Sequence, residues 1–270
     1  MSTRVDAELL GSLLGTAIEA ALAAGKLLMA QREDALATVE TKRDINDLVT
    51  AADKAAERLI VERIQLHHPD DGIVGEEGER IHPDAAIQWL IDPLDGTTNY
   101  VYGSGPWAVS IGVEHDGVPI VGVIHIPAFG ETFSAARNCG AFLNDARLQV
   151  STLEQLATAV IGFDGPTWVH HGHGVLLSEL GNDVRAVRRI GSCAVSMANV
   201  AASRFDGFFV HDVGPWDISA GTVIVREAGG WVGDSTGGPP TTSETIACGP
   251  GIAGALQQLL NVTASSEPAT

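Results

Sequence analysis

The sequence predicts an α+β fold. Two amphipathic helical stretches open the chain, at residues 5–32 and about 51–67. A block of short apolar runs separated by turn residues follows between Trp107 and Leu148, and it reads as antiparallel sheet. The remainder alternates strands with helices and reads as an α/β unit. With 270 residues, 45% of them hydrophobic, the chain can bury a sizeable core as one large domain or two intimately packed ones. The division expected is residues 1–156, then 157–262, then a disordered tail over 263–270.

In the first helix Leu9, Leu10, Leu13, Leu14, Ala17 and Ile18 recur at helical spacing. A short extended piece is expected at about Ala37 to Lys42. Thr50 suits the N-cap of the second helix, with Asp53 three residues on in the manner of a capping box. Ile73 and Val74 form a very short strand. Ala85 to Ile91 is an apolar run of strand length, and Pro93 is expected to stop it for want of an N–H. The run from Trp107 to Val113 ends at His115-Asp116-Gly117, a hairpin signal. Strands are expected at Pro119 to Ile126 and Glu131 to Ala135, with a second hairpin from Cys139 to Leu148 turning near Asn144-Asp145. Ser151 is placed to cap a short helix through Leu156. Strands follow at Ala157 to Phe163 and Ala186 to Ile190, with a helix over Val175 to Leu180 between them. Gly191-Ser192 opens an apolar helix, Asp206 to Val210 is a strand, and Asp217 begins a helix ending at Gly229-Gly230. Strands at Trp231 to Gly233 and Ile246 to Cys248, then a helix from about Gly251 to Leu260, complete the chain.

Chemistry concentrates after the Ile91 strand, in Asp92-Pro-Leu-Asp-Gly-Thr-Thr-Asn99. Asp92 and Asp95 are three residues apart, and carboxylates held that close repel each other. A hard divalent cation would remove the repulsion, and Thr97 and Thr98 add hydroxyls able to orient a water. An ordinary polar turn would use the same residue types. Glu76 and Glu77 lie between Gly75 and Gly78, and adjacent residues on an extended chain point to opposite sides, so one of the pair faces any given metal. A solvated acidic loop is the alternative. The Gly191-Ser192 turn, at a helix N-terminus, offers N–H groups to a phosphate or a sugar hydroxyl, or is simply a cap. Asp217 likewise reads as ligand or helix cap. His170, His171 and His173 could bind a transition metal, although a polar surface loop accounts for them more simply.

Three separated stretches, in order, resemble the inositol monophosphatase family of Mg²⁺-dependent, lithium-sensitive phosphatases. They are Gly75-Glu-Glu77, Asp92 to Asn99, and Trp216-Asp217 running on to Glu227-Ala-Gly-Gly230. The resemblance runs from about Lys42 to Cys248. It implies a layered αβαβα sandwich of the sugar-phosphatase type, two or three Mg²⁺ ions, and a homodimer. It makes Glu76, Asp92, Asp95, Asp217 and the carbonyl of Leu94 the metal ligands. Thr97, hydrogen-bonded to Asp53, would position and deprotonate the attacking water, with Glu76 also in the catalytic group. Asp95, Gly96, Thr97, Gly191, Ser192 and Cys193 would touch substrate, and Lys42 would lie in a loop near a third metal. The reaction implied is hydrolysis of a small phosphate monoester, with myo-inositol monophosphate first. Val210 stands where many of these enzymes carry a glutamate that contacts an inositol hydroxyl, and His211 and Asp212 are expected to point elsewhere. Histidinol phosphate, fructose-1,6-bisphosphate and phosphoadenosine phosphate are therefore alternative substrates. A non-catalytic binding protein on this fold would be expected to lose a ligand or Thr97, and neither is lost.

The formal net charge of -18 argues against nucleic-acid backbones and anionic membranes as partners. Cys139, Cys193 and Cys248 are odd in number and widely spaced, which fits a reducing cytoplasm. The N-terminus carries Asp6 and Glu8 and does not read as a signal peptide, and no charge-free run of membrane length occurs.

Overall fold

The computed structural model describes residues 5–33, 40–41, 48–165 and 180–265. Lys42, His170, His171, His173 and most of the helix expected at Val175 to Leu180 lie outside the described residues. The first half runs α1 (Ala7–Gln31), β1 (Glu40–Thr41), β2 (Leu48–Val49), α2 (Ala51–His67), β3 (Gly72–Gly75), β4 (Arg80–Ile81), β5 (Ile87–Asp95) and α3 (Thr97–Tyr102). It continues with β6 (Ala108–His115), β7 (Val118–Ile126), β8 (Glu131–Ala136), β9 (Gly140–Leu143) and β10 (Ala146–Arg147). The second half holds β11 (Val160–Asp164), β12 (Ala186–Arg188), α4 (Cys193–Ala201), β13 (Gly207–His211), α5 (Pro215–Glu227), β14 (Trp231–Gly233), β15 (Glu244–Cys248) and α6 (Ala253–Ser265).

Two sheets result. The larger has eight strands in the order β10-β9-β8-β7-β6-β5-β3-β4, and the smaller has five, β12-β11-β13-β15-β14. The larger is antiparallel except where β3 runs parallel to β5. In the smaller, β11 pairs parallel with β12 and β13, while β15 runs antiparallel to β13 and β14.

Alternation along the strands sorts side chains into three apolar layers. α1 and α2 bury Leu13, Leu28, Ile60 and Ile64 against Trp89, Ile91, Val109, Ile111 and Val113 on one face of the larger sheet. Its other face joins α4, α5 and the near face of the smaller sheet, where Phe208, Val210 and Ala247 point inward. Phe209, Ile246 and Cys248, one residue out of phase, face α6 and Leu180 on the far side. The order is helix, sheet, helix, sheet, helix, as the family resemblance implied. α1 is long and apolar enough to cross a membrane by length and composition. Its Leu10, Leu13, Ala17, Ala24 and Leu28 are nevertheless buried in the first layer.

Four expectations need correction. Pro93 does not end its strand, because β5 continues to Asp95. Asp92 pairs with Ser110 and Asp95 with Ala108, so Pro93 and Leu94 oppose the single residue Val109 in a bulge. A bulge leaves a residue unpaired, so the missing N–H costs nothing there. Ser151 caps no helix. Its hydroxyl donates to Asp206 Oδ1 at 2.6 Å, and only a short 3₁₀ turn, Leu156–Thr158, follows. The strand expected at Ala157 begins instead at Val160, whose N–H donates to Asp206 Oδ2 at 2.8 Å. α6 takes in Thr263, Ala264 and Ser265, which corrects the expectation of a disordered tail from residue 263.

Candidate active site

The bulge turns the end of β5 toward the N-termini of α3, α4 and α5. Asp92 and Asp95 lie at that strand end, both buried. Asp217 sits in the first turn of α5, where its Oδ2 accepts the Gly214 N–H at 2.6 Å. The two readings of Asp217, cap and ligand, are thus compatible, since one oxygen caps the helix and the other is left to the cleft. Asp92, Asp95 and Asp217 each offer a carboxylate oxygen, all within 4.8 Å of one another. Glu76 follows β3, and its N–H donates to Ile91 O at 3.0 Å, which brings it level with Asp92. Glu76 and Asp217 both stand close enough to Asp92 to repel its charge. Glu76, Asp95 and Asp217 line a cleft of about 340 Å³ together with Asp164, Arg189 and Asp212.

Burying acids side by side shifts their titration upward. Asp92 and Asp217 are both held well above the usual carboxylate range, first by burial and then by repulsion from the neighbouring acids. Asp95 rises to about 7, again by burial, opposed by hydrogen bonds from Ser192 and Ala194. A bound cation would reverse this penalty. The donor set fits one. Every acidic donor is an oxygen, which suits a hard ion. Oxygens sharing a Mg²⁺ at about 2.1 Å lie at most about 4.2 Å apart, so a small closure of the 4.8 Å group suffices. Burial and the surrounding acids push the Cys193 thiol up, so it keeps its proton and offers no thiolate.

Thr97 opens α3. Its Oγ1 lies 3.2 Å from Asp53 Oδ1 and 3.2 Å from the Leu94 carbonyl. Asp53 is fixed in turn by the predicted capping box: its Oδ2 accepts from Thr50 N at 2.9 Å and from Thr50 Oγ1 at 2.6 Å. Gly96 is left-handed, with φ of 92°, and a Cβ there would lie 3.1 Å from Gly191 O and 3.2 Å from Ser192 Cβ. Only glycine relieves both constraints.

The Gly191–Ser192 turn follows the cap reading, with Ser192 Oγ accepting from Val195 N at 3.2 Å. Its donors are engaged within the protein. Ser192 Oγ and Ala194 N each donate to Asp95 Oδ2 at 2.6 Å, and Cys193 N donates to Oδ1 at 3.3 Å. Gly191 N donates to Asp164 Oδ1 at 3.0 Å, and Ser196 Oγ donates to Oδ2 at 3.1 Å. The positive end of α4 therefore holds Asp95 in place. Asp164, at the end of β11, escaped the sequence reading. Burial lifts its titration to about 6 against these hydrogen bonds. Its signal was the one that marked Asp95, an aspartate closing an apolar strand before a glycine. Val210 is fully buried between the sheets, Asp212 lines the cleft, and His211 faces Glu244 at 3.4 Å. Asp212 thus corrects the expectation that it would point elsewhere.

Acidic oxygens gathered around an open cleft, beside a hydroxyl backed by a carboxylate, define a hydrolase of the metal-dependent phosphatase class. The chain belongs to the inositol monophosphatase family, whose model matches residues 10–267. It is 40% identical over 255 residues to the inositol-1-monophosphatase of Rhizobium meliloti, covering 92% of this chain and 96% of that one. It is also 40% identical over 235 residues to the Nus factor SuhB of Escherichia coli K12, covering 84% and 86%. The crystal structure of extragenic suppressor protein SuhB from Bartonella henselae superposes with a TM-score of 0.86 at 35% identity, over 92% of this chain and 98% of that one. The protein is a phosphoric monoester hydrolase.

Proposed function

We propose that the protein hydrolyses myo-inositol monophosphate with two or three Mg²⁺ ions, as a lithium-sensitive homodimer of the cytoplasm. The observation that carries the reading is the group Asp92, Asp95 and Asp217, within 4.8 Å, beside the Thr97–Asp53 pair. Glu76, Asp92, Asp95, Asp217 and the Leu94 carbonyl would hold the ions. When bound, such ions neutralise the substrate phosphate and lower the pKa of water. The chain's own part is orientation. Both neighbours of the Thr97 hydroxyl are acceptors, so its one proton goes to them and its lone pairs remain for a water. A water donating to Thr97 passes its proton toward Asp53 as it attacks. The identity to an inositol-1-monophosphatase supports inositol as the alcohol. Arg189, Asp212 and Gly214 line the cleft wall, which Val210 does not, and would be the groups to meet its hydroxyls.

The test is phosphate release with Mg²⁺ from inositol-1-phosphate, histidinol phosphate, fructose-1,6-bisphosphate and phosphoadenosine phosphate, each with and without lithium. Preference for inositol-1-phosphate, inhibited by lithium, is expected. Preference for another ester would reassign the substrate, and release that survives EDTA would sink the metal mechanism. The identity to Nus factor SuhB favours a second reading, a Nus-factor role beside hydrolysis. An Asp95→Asn chain separates the two, because hydrolysis is lost with the ligand whereas complementation of a strain lacking SuhB would survive.

A further inference from the structure

α2 carries a second acid on its buried face, one turn beyond Asp53. Glu57 is 2% exposed. A carboxylate withdrawn from water that far costs several kcal/mol unless hydrogen bonds replace its hydration. Two backbone donors do so. Glu77 N donates to Glu57 Oε2 at 2.8 Å, and Glu79 N donates to Oε1 at 3.2 Å. Both belong to the turn that follows β3, which Gly75 closes by donating its N–H to Glu79 O at 2.8 Å. Glu76 lies inside that turn, flanked by Gly75 and Glu77. Gly75 is shaped around the same carboxylate, since a Cβ there would stand 2.3 Å from Glu57 Oε2 and 2.5 Å from Cδ. The chain is thus held at Glu76 itself, by the β5 carbonyl of Ile91, and just beyond it at Glu77, by Glu57.

We propose that Glu57 is a positioning residue for the cation site. It fixes the path of the chain through Gly75–Glu79, so that the Glu76 carboxylate is delivered beside Asp92. It touches neither substrate nor the acids within 4.8 Å. Its effect is to spare the site the ordering cost of the 75–79 turn each time a cation binds. The proposal rests on the reading above that Glu76 takes part in holding the cation. Glutamine at 57 keeps the size of the side chain but has one carbonyl oxygen for two backbone donors, and its amide group would face an N–H. Alanine at 75 leaves the carboxylate in place chemically and pushes it off its two donors.

Calorimetric titration of the full-length protein with MgCl₂, with kcat at saturating Mg²⁺ and the melting temperature in EDTA, tests this. Glu57→Gln is expected to raise the Mg²⁺ dissociation constant about ten-fold or more, the usual scale for residues that orient a ligand. kcat is expected to fall much less than affinity, and Gly75→Ala to move affinity in the same direction. Mg²⁺ affinity within two-fold of wild type, with only the melting temperature lowered, would leave Glu57 a structural residue and overturn the proposal. Loss of kcat at unchanged affinity would overturn it equally. If Glu57→Gln does not fold, Gly75→Ala decides on the same readings. Wild-type protein that binds no Mg²⁺ would remove the proposed function itself, an outcome distinct from wild-type binding that the variants leave unaltered.

Discussion

Thr97 has one proton and two acceptors beside it, so its usefulness lies in what it can accept. Replacing it by alanine removes that acceptor and leaves the carboxylate group within 4.8 Å intact. Thr97→Ala is expected to lower kcat about 10²-fold or more with little change in Mg²⁺ affinity, read from initial rates against MgCl₂. An equal loss in both would make Thr97 part of the ion site. A second single-residue effect concerns pH. Glu244 accepts from Ser235 N and Oγ, both at 2.8 Å, and faces His211 across the strand pair. The His211 hydrogen bond first, then those of Ser235, hold its carboxyl down at about 2. A folded-state value below the unfolded one stabilises the fold above about pH 4.5, and that stabilisation drains away as pH falls toward 2. Glu244→Gln should therefore cost about 1 kcal/mol at pH 7, after discounting for solvent screening, and much less at pH 3. Urea titrations at the two pH values decide it, and an equal cost at both would refute the assignment. At this scale the sequence was uneven. Thr50 and Asp53 were visible because a cap has a fixed spacing. Glu57 was not, although an acid in register with Asp53, Ile60 and Ile64 on a buried helix face is a signal, since a charge there must have partners.

The site depends on how elements are seated as much as on which side chains they carry. Asp92 and Asp95 come from the larger sheet and Glu76 from the turn that follows its strand β3, whereas Asp217 comes from α5, which lies against that sheet. The seating is close because Gly122 on β7 has no side chain. A Cβ there would lie 2.2 Å from Ala220 O, a backbone atom of α5 that no rotamer can move. Gly122→Ala must therefore lift the helix or bend the strand, at about 1–3 kcal/mol. Because the same helix bears Asp217, activity is expected to fall about 10²-fold, more than the stability loss alone explains. Gly11→Ala, at an exposed position on the outer face of α1 where a Cβ would meet nothing within 4 Å, is the control, expected to raise stability by up to about 1 kcal/mol. Melting temperature and kcat of the two variants, measured together, give the answer, and full activity in Gly122→Ala would show that α5 can shift without cost to Asp217. Strand and helix identities were legible here because alternation and helical periodicity are local properties. The Pro93 bulge was not, because proline's missing N–H matters only where a partner carbonyl is waiting, and a neighbouring strand determines that. The engagement of the α4 N-terminus by Asp95 and Asp164 was hidden for the same reason, since its partners lie about a hundred and about thirty residues away in the chain.

Across the whole molecule, stability and function pull against each other. A chain of net charge -18 has every electrostatic reason to keep its acids apart in water. Instead it buries Asp92 and Asp95 and brings Asp217 and Glu76 up to them, at the end of a strand that separates the first two apolar layers. Repulsion on this scale is tolerable only if the layers supply a surplus of stability and a cation returns part of it. The layers explain why the fold survives. Trp89, Ile91 and Val109 lie on one side of the larger sheet, and the α4 and α5 helices lie on the other. The acid cluster is therefore clamped by packing that does not depend on it. Removing one charge should then have opposite effects in the two states. Asp92→Asn keeps an Oδ1 to accept the Leu94 N–H, now at 3.0 Å, and cannot ionise. In EDTA it is expected to melt higher than wild type, by roughly 2–5 °C for about 1–2 kcal/mol of relieved repulsion. On addition of Mg²⁺ at about a hundred times its dissociation constant, wild type should gain about 2.7 kcal/mol and overtake the variant, which should gain almost nothing. A variant that melts lower than wild type in EDTA would show that the four acids are not in net repulsion. The same variant gaining as much from Mg²⁺ would show that Asp92 is no ligand. The crossing of the two melting curves is the signature of a site whose residues were placed for a cation rather than for the fold.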